Sequence, residues 1–163
     1  MSEQIRVLLV DDEQDFVESV GFWLTSKGYH ITKADSGEAA LAILKDGRHD
    51  VVFLDVMMPG LDGIETLRRL RAFNKTIPVV LVTASNLSDE NRYAGAKALG
   101  ISGVFPKGSS LTQLTQALEV ALRTLKKRRP AAEEASKAPA PRRGFWAALQ
   151  SLLHPRPPAP PHA

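Results

Sequence analysis

The chain contains no cysteine, which excludes disulfide bonds, thiolate metal sites and thiol catalysis. It also lacks long apolar runs, and none of its runs is long enough to span a membrane. The polar N-terminus, residues 1–4, is followed by too short an apolar stretch for a secretory signal. These absences are compatible with a cytoplasmic protein, and we expect that location.

Acidic and basic residues are distributed unevenly along the 163 residues, a length that suits one ordinary domain. Residues 1–125 contain 13 Lys and Arg against 16 Asp and Glu, a net charge of −3, whereas residues 126–163 contain 8 against 2, a net charge of +6. The acidic first part argues against a nucleic-acid-binding face there. Attraction to polyanions or membrane surfaces is therefore confined to the second part.

Apolar runs bounded by turn signals predict five β-strands, three of them clear and two weaker. Because the clear runs are rich in Val, Leu and Ile without polar alternation, they are typical of strands buried on both faces of a parallel sheet. The predicted strands are Ile5–Val10, Tyr29–Lys33, Val51–Leu54, Ile77–Val82 and Ser102–Pro106.

Helical patterns separate these strands, with apolar residues at helical spacing in segments 16–24 and 111–125. Ser36 is positioned to cap the second helix, and Asp62 followed by Glu65 resembles a capping box for a third helix that ends at Phe73. Residues 88–99 predict another helix. Alternating strands and helices predict an α/β fold: a doubly wound, flavodoxin-like, five-stranded parallel sheet in the order 2-1-3-4-5, flanked by five helices.

Polar residues follow four of the predicted strands. Asp11 and Asp12 follow the first strand, Asp55 the third, Thr83 the fourth and Lys107 the fifth. Ligands of such sheets gather beyond the carboxyl ends of the strands, where the strand order reverses. In the order 2-1-3-4-5 the first and third strands are neighbours, so we expect three carboxylates to converge there, with a hydroxyl and an ammonium beside them.

Three converging carboxylates raise each other's pKa unless a cation holds them ionised. An all-oxygen site of this kind suits Mg²⁺, and its chemistry suits in-line phosphoryl transfer to a carboxylate. We expect Asp55 to be the nucleophile, and Asp12 and Asp55 to ligate the metal with Asp11 in support. Lys107 and Thr83 are expected to contact the phosphoryl oxygens.

These motifs resemble the receiver domain of two-component response regulators. The resemblance is carried by VLLVDDE at 7–13, DVMMPGLDG at 55–63, Thr83 and Lys107, and it extends over residues 4 to about 125. It implies that the phosphodonor is a histidine kinase or a phosphotransfer protein, that the ion is Mg²⁺, and that the backbone carbonyl of Met57 is a further ligand. It also implies a signalling switch without separate substrate turnover, which changes its affinity for a protein partner or a second copy of itself.

Two positions depart from the family pattern. Receiver domains usually carry Tyr or Phe three residues before the lysine and Pro after it, where this chain has Val104 and Gly108. Phe105 is one place off, and alternation puts it on the opposite face of its strand. These departures affect the standard route from Thr83 to the output surface rather than the phosphorylation chemistry.

The end of the chain has a different composition, since eight of the eleven prolines lie in residues 130–163. We predict a receiver domain at 1–125, a basic Pro- and Ala-rich linker at 126–143 and a Pro-rich disordered terminus at 155–163. Residues 144–154 predict a short amphipathic helix that forms only on docking. A protein partner is the favoured target, ahead of packing onto the receiver and membrane association.

Other functions are less compatible with the sequence. An aspartyl-phosphate phosphatase needs a second acid two residues after Asp55, where the chain has Met57, and a nucleotide binder needs a phosphate-binding loop that is missing. A DNA-binding output is not expected, because residues 126–163 contain no helix-turn-helix pattern. A pseudo-receiver that acts as an unphosphorylated docking module stays open because of Val104. The four histidines are interpreted as structural or solvent-exposed.

Overall fold

The structure, a computed structural model, describes the backbone of residues 4–84 and 90–136 and the side chains of 4–84 and 93–125. The chain divides into two units, Met1–Arg129 and Pro130–Ala163. The predicted helix at 144–154 and the predicted terminus at 155–163 lie outside the described residues. Among the described helices, none is both long enough and apolar enough to cross a membrane.

Strands and helices alternate along the described chain, as the sequence predicts. Each strand begins within two residues of its predicted start. The elements are β1 Arg6–Val10, α1 Gln14–Ser26, β2 His30–Ala34, α2 Gly37–Asp46, β3 Val51–Asp55, α3 Gly63–Phe73, β4 Val79–Thr83, α4 Glu90–Ala98, β5 Gly103–Pro106 and α5 Leu111–Ser136.

The five strands form one sheet in the order β2-β1-β3-β4-β5, and every neighbouring pair is parallel. The predicted doubly wound topology is therefore confirmed. In the register between β1 and β3, Val10 is opposite Leu54. The two strands consequently end side by side, and the residues that follow them meet at one edge of the sheet.

The sheet is covered on both faces, and every residue of β3 and β4 is buried. Removing each buried Leu or Phe side chain from water contributes roughly 1.5–3 kcal/mol before the entropic cost of folding. On one face the core includes Leu8, Leu54, Leu67, Leu70 and Leu81. The core of the other face includes Val7, Val20, Leu24, Phe53, Leu114 and Leu118.

Helix caps follow the predicted pattern. The Ser36 hydroxyl accepts a hydrogen bond from the Ala39 N–H at 3.3 Å at the start of α2. The Asp62 carboxylate accepts one from the Glu65 N–H at 2.8 Å at the start of α3. These bonds satisfy donors that the first helical turn leaves without intrahelical partners. The start predicted for α4, Ser88, lies outside the described residues.

The last helix differs from its prediction. α5 runs from Leu111 to Ser136, past the domain boundary predicted at residue 125, so the first part of the predicted linker 126–143 is helical. Lys, Arg, Ala and Glu dominate this segment and are all good helix formers. The proline content of the whole tail concealed this local preference. Pro130 begins the second unit of the chain.

Candidate functional site

The candidate site lies at the carboxyl edge of the sheet. Asp55 and Thr83 are the last residues of β3 and β4, whereas Asp11 and Lys107 follow β1 and β5 directly. The Lys107 N–H donates to the Thr83 carbonyl at 2.8 Å. This bond continues the parallel ladder past the strand ends, so the sheet fixes the backbone of the site residues.

Three carboxylates converge at this edge, as the sequence predicts. Asp11 and Asp55 are only 3% and 2% exposed, whereas Asp12 is exposed. One oxygen of each of the three lies within 4.8 Å of the others. Ligands on opposite sides of a Mg²⁺ ion are about 4.2 Å apart, since each bond is about 2.1 Å long. The spacing and the all-oxygen donor set therefore fit a hard divalent cation.

Lys107 reaches back over these carboxylates from β5, and its side chain is 10% exposed. Its Nζ atom lies 2.8 Å from Asp11 Oδ2, 3.6 Å from Asp55 Oδ1 and 2.6 Å from Glu13 Oε1. The lysine packs beside the Phe16 ring, with Nζ 5.1 Å from the ring centroid. Its ammonium group thus offsets part of the negative charge of the cluster.

Sequence reasoning missed the contact between Glu13 and Lys107. Glu13 directly follows the acidic pair and is the N-cap residue of α1, but its side chain makes no capping bond. Its backbone N–H instead donates to Asp11 Oδ1 at 2.9 Å. The available signal was its position, because a carboxylate next to two others at a strand end is within reach of the same lysine.

Burial raises the pKa of Asp55 to about 6, and the negative charge of Asp11 adds to the rise. Lys107 and a hydrogen bond from the Met57 backbone N–H act in the opposite direction. Burial also raises the pKa of Asp11. One ammonium group therefore does not compensate the buried carboxylates, and a cation of higher charge would stabilise their ionised forms.

The loop between β3 and α3 packs tightly against the backbone of Asp55. A Cβ atom on Gly63 would lie 2.0 Å from the Asp55 carbonyl oxygen, so only glycine fits there. The Gly63 N–H donates to the Val56 carbonyl at 3.0 Å, and Gly60 makes the preceding turn with a φ of +75°. The glycines of the sequence motif thus let this loop approach the acidic cluster.

The structure brings together Asp11, Asp12, Asp55 and Lys107, and it buries Thr83 at the neighbouring strand end. Met57 contributes its backbone N–H to Asp55, while its side chain is 59% exposed. The catalytic and metal-binding roles of these residues, including that of the Met57 carbonyl, stay predictions.

The two departures on β5 are also placed by the structure. Val104 is half-buried on the α2–α3 face of the sheet, and Phe105 is buried on the opposite face beside α1 and α5. Phe105 therefore does not substitute for the aromatic residue that the family usually carries at position 104, as strand alternation predicts.

Comparison with known proteins confirms the resemblance. The sequence profile described as the response regulator receiver domain matches residues 7–119. The response regulator MprA of Mycobacterium sp. strain KMS is 38% identical over 119 residues, which cover 73% of this chain and 51% of MprA. The probable transcriptional regulatory protein TcrX of Mycobacterium tuberculosis is 42% identical over 98 residues, 60% of this chain and 42% of TcrX. The chain thus spans about half the length of these curated relatives.

Solved structures show the same fold. The chemotaxis protein CheY4 of Vibrio cholerae superposes with a TM-score of 0.68 at 29% identity, over 74% of this chain and all of CheY4. The response regulator TrrA of Thermotoga maritima, solved in complex with Mg²⁺-BeF, gives a TM-score of 0.65 at 28% identity, over 73% of this chain and all of TrrA.

Proposed function

The chain belongs to the response regulator receiver domain family of two-component signalling, and we propose that it accepts a phosphoryl group on Asp55 in a Mg²⁺-dependent reaction in the cytoplasm. The phosphodonor is a histidine kinase or a phosphotransfer protein. The observation that carries this proposal is the convergence of Asp11, Asp12 and Asp55 with Lys107 at the carboxyl edge of the sheet.

Asp12 and Asp55 would hold the ion directly, with Asp11 in support and the Met57 carbonyl as a further ligand. The close carboxylate oxygens and the raised pKa of buried Asp55 support this assignment, because both call for a compensating cation. When bound, Mg²⁺ supplies positive charge that keeps the carboxylates ionised and offsets the charge of the phosphoryl oxygens.

Asp55 is the nucleophile in this transfer. One of its carboxylate oxygens bonds to phosphorus while the bond from phosphorus to the donor's imidazole nitrogen breaks, which leaves an acyl phosphate. The ammonium of Lys107, 3.6 Å from Asp55 Oδ1, pairs with a phosphoryl oxygen. The Thr83 hydroxyl donates a hydrogen bond to another. Both contacts favour a second conformation of the residues at the ends of β4 and β5. This change of conformation transmits the signal.

The output passes through protein contacts, either with a partner or with a second copy of the chain, and not through DNA. The net charge of −3 over residues 1–125 supports this part of the proposal. TcrX is named a probable transcriptional regulatory protein, but this chain covers only 42% of its length. The basic tail is assigned to partner binding. Truncation after Arg129 should therefore leave phosphoryl uptake unchanged and weaken partner binding or localisation.

The second candidate function is a pseudo-receiver that docks without being phosphorylated. Val104 favours it, because the usual aromatic residue at this position is missing. The two functions differ in whether Asp55 takes up a phosphoryl group at all. The buried Asp55 with Lys107 beside it favours the phosphorylated switch.

Intact-mass measurement after incubation with acetyl phosphate tests the proposal. The wild-type chain should gain one phosphoryl group with Mg²⁺ and none with EDTA. Asp55→Asn should gain none, whereas Asp46→Asn, which changes an exposed carboxylate at the end of α2, should behave as wild type. If the wild-type chain gained no phosphoryl group from acetyl phosphate or from any of a panel of histidine kinases, the pseudo-receiver would be the supported function.

A further inference from the structure

A second cluster of ionisable side chains lies at the amino edge of the sheet, at the opposite ends of the strands from Asp55. Arg6 opens β1 and His30 opens β2, and these two residues are register partners in neighbouring parallel strands. The turn between α2 and β3 adds Arg48 and His49 beside them. The topology thus collects four basic side chains from three separate segments.

These four side chains line a cavity of about 300 Å³, a volume at the lower end of the range for small-ligand pockets, which is roughly 300–1,000 Å³. The described lining is basic or neutral, with no carboxylate among its residues. Besides the four basic residues, it consists of Gln4, Thr32 and Gly47. The cavity therefore presents positive charge and hydrogen-bond donors to whatever enters it.

The two arginines of this cavity form no ion pair among the described contacts. The described contacts give the guanidinium groups of Arg6 and Arg48 no ion-pair partner, and both residues are exposed. Asp50 is close by: its carboxylate accepts the backbone N–H of Arg6 at 2.8 Å, and it lines an adjoining cavity together with Arg6, Arg48 and His49. Two exposed guanidinium groups thus remain available at the cavity.

His49 supplies a second, independent observation. Its Nε2 atom lies 3.1 Å from the Thr32 hydroxyl. Its Nδ1 atom is shielded from solvent and has no hydrogen-bond partner in the described part of the chain. When Thr32 donates to Nε2, the ring proton lies on Nδ1, which becomes an unused buried donor. Such groups are rare unless a ligand or water satisfies them.

We propose that this cavity binds the phosphate group of a small anionic ligand, with Arg6 and Arg48 as the charged contacts. His49 Nδ1 becomes a further donor when the ring shifts to open it to the cavity, because it is shielded from solvent in this structure. Guanidinium groups match phosphate oxygens in planar, bidentate geometry, and these charge-assisted bonds are the strong ones. Burial and the positive charge of Arg6 lower the pKa of His49, while Asp50 raises it and His30 lowers it further. A bound anion would relieve this excess of positive charge.

The site is separate from the phosphoryl acceptor, so it is tested without phosphorylation. The full-length, ¹⁵N-labelled chain is titrated with sodium phosphate in EDTA, against sodium chloride at the same ionic strength. We expect saturable shifts of the Gly47, Arg48 and His49 amides that chloride does not reproduce. A repeat with glycerol 3-phosphate should shift the same amides, which shows that the site takes a phosphate monoester as well as free phosphate.

Arg48→Gln should weaken phosphate binding at least about tenfold, as expected for the loss of a charge-assisted hydrogen bond, and Arg6→Gln should do the same. Arg123→Gln, on the exposed face of α5, makes the same charge change away from the cavity and should leave binding unchanged. Equal shifts with chloride, shifts centred on Asp55 or the tail, or no effect of either cavity variant would overturn the proposal.

Discussion

The ammonium group of Lys107 lies 2.6 Å from the carboxylate of Glu13, across 94 residues of sequence. This pair joins the end of β5 to the start of α1, and it links the largely buried lysine, 10% exposed, to a carboxylate that is 61% exposed. The lysine lies 1 Å farther from Asp55 Oδ1, at 3.6 Å. Glu13 would therefore compete with a phosphoryl group on Asp55 for the same ammonium group.

Glu13→Gln should speed phosphorylation of Asp55 by acetyl phosphate. The substitution removes the competing charge, and partly exposed ion pairs contribute about 0.2–1 kcal/mol, which corresponds to an increase of roughly 1.5- to 5-fold. The initial rate of phosphoryl uptake, followed by intact mass, measures the effect. Glu18→Gln is the matched control, because Glu18 pairs with Lys33 instead. A rate that stays at the wild-type value would show that Glu13 does not restrain the lysine.

Asp55→Asn should stabilise the fold at neutral pH without metal. The pKa of Asp55 is raised from 3.8 to about 6 in the folded state, so the folded chain holds its proton more tightly than the unfolded chain. Stability contributed by the neutral form is present below about pH 4 and is lost as pH rises through about 6. Since one pKa unit corresponds to about 1.36 kcal/mol, the variant should gain about 1–3 kcal/mol at pH 7.5.

Urea unfolding in EDTA from pH 4 to pH 8 measures this effect. The wild-type free energy of unfolding should fall through the interval from 4 to 6 more steeply than that of Asp55→Asn, while Asp46→Asn should follow the wild type. If the free energies of unfolding of wild type and Asp55→Asn changed with pH in the same way, burial would not raise the pKa of Asp55. Added Mg²⁺ should narrow the difference, because it stabilises the ionised wild-type carboxylate.

The fold was largely predictable because the strands are uninterrupted apolar runs with chemistry-bearing residues at their ends. β3 and β4 are buried throughout, so their sequences carry little besides Val, Leu and Phe before Asp55 and Thr83. The order of the strands then determines which of these ends are neighbours. Asp11, Asp12, Asp55 and Lys107 meet for this reason, and the sequence pattern alone located them.

Contacts of long side chains were not predictable in the same way. Glu13 and Lys107 are in contact because of the conformations of their long side chains. The spacing of apolar residues, which predicts helices and strands, does not predict these conformations. The basic cavity at the amino edge was missed because Arg6, His30 and His49 come from separate turns and strand starts, where no ligand spacing exists along the sequence. The far end of α5 was missed because the prolines of the tail outweighed the local helix formers in the composition.

Alanine substitutions at Gly63 and Gly95 should have opposite effects on the free energy of unfolding, because only Gly63 is packed against backbone. At Gly63 an added Cβ would lie 2.0 Å from the Asp55 carbonyl oxygen, so Gly63→Ala must displace the loop below the acidic cluster. It should lower the free energy of unfolding by about 2–3 kcal/mol. It should also slow phosphorylation, since Asp55 moves with the loop.

Gly95→Ala is the matched substitution in α4, where an added Cβ meets no atom of the described residues within 4 Å. Alanine is the better helix former, so this variant should gain roughly 0.5–1 kcal/mol. Thermal or urea unfolding of the two variants checks both signs. If Gly63→Ala were as stable as wild type, the close packing of the loop against Asp55 would not describe the protein in solution.

Arg71 fastens the end of α4 to α3. Its Nε donates to the Leu99 carbonyl at 2.8 Å and its guanidinium donates to the Gly100 carbonyl at 3.1 Å, so it supplies donors to the carbonyls of the two residues that follow α4. A third bond, at 3.1 Å, holds the arginine to the Asn74 carbonyl. α4 itself contributes few buried apolar side chains among those described, with Ala96 the fully buried one. The arginine is therefore a main attachment of this helix end.

Arg71→Lys keeps the charge but cannot donate three bonds in this fixed fork. It should cost about 1–3 kcal/mol of the free energy of unfolding. Amide hydrogen exchange should rise in residues 96–100 and remain unchanged in α1, because the loss is local to one helix end. Arg69→Lys, at an exposed position on the same helix that pairs with Glu65, is the control and should leave exchange in α4 unchanged. Uniformly faster exchange across the domain in Arg71→Lys would contradict a local clamp, since it would show that the arginine stabilises the fold as a whole.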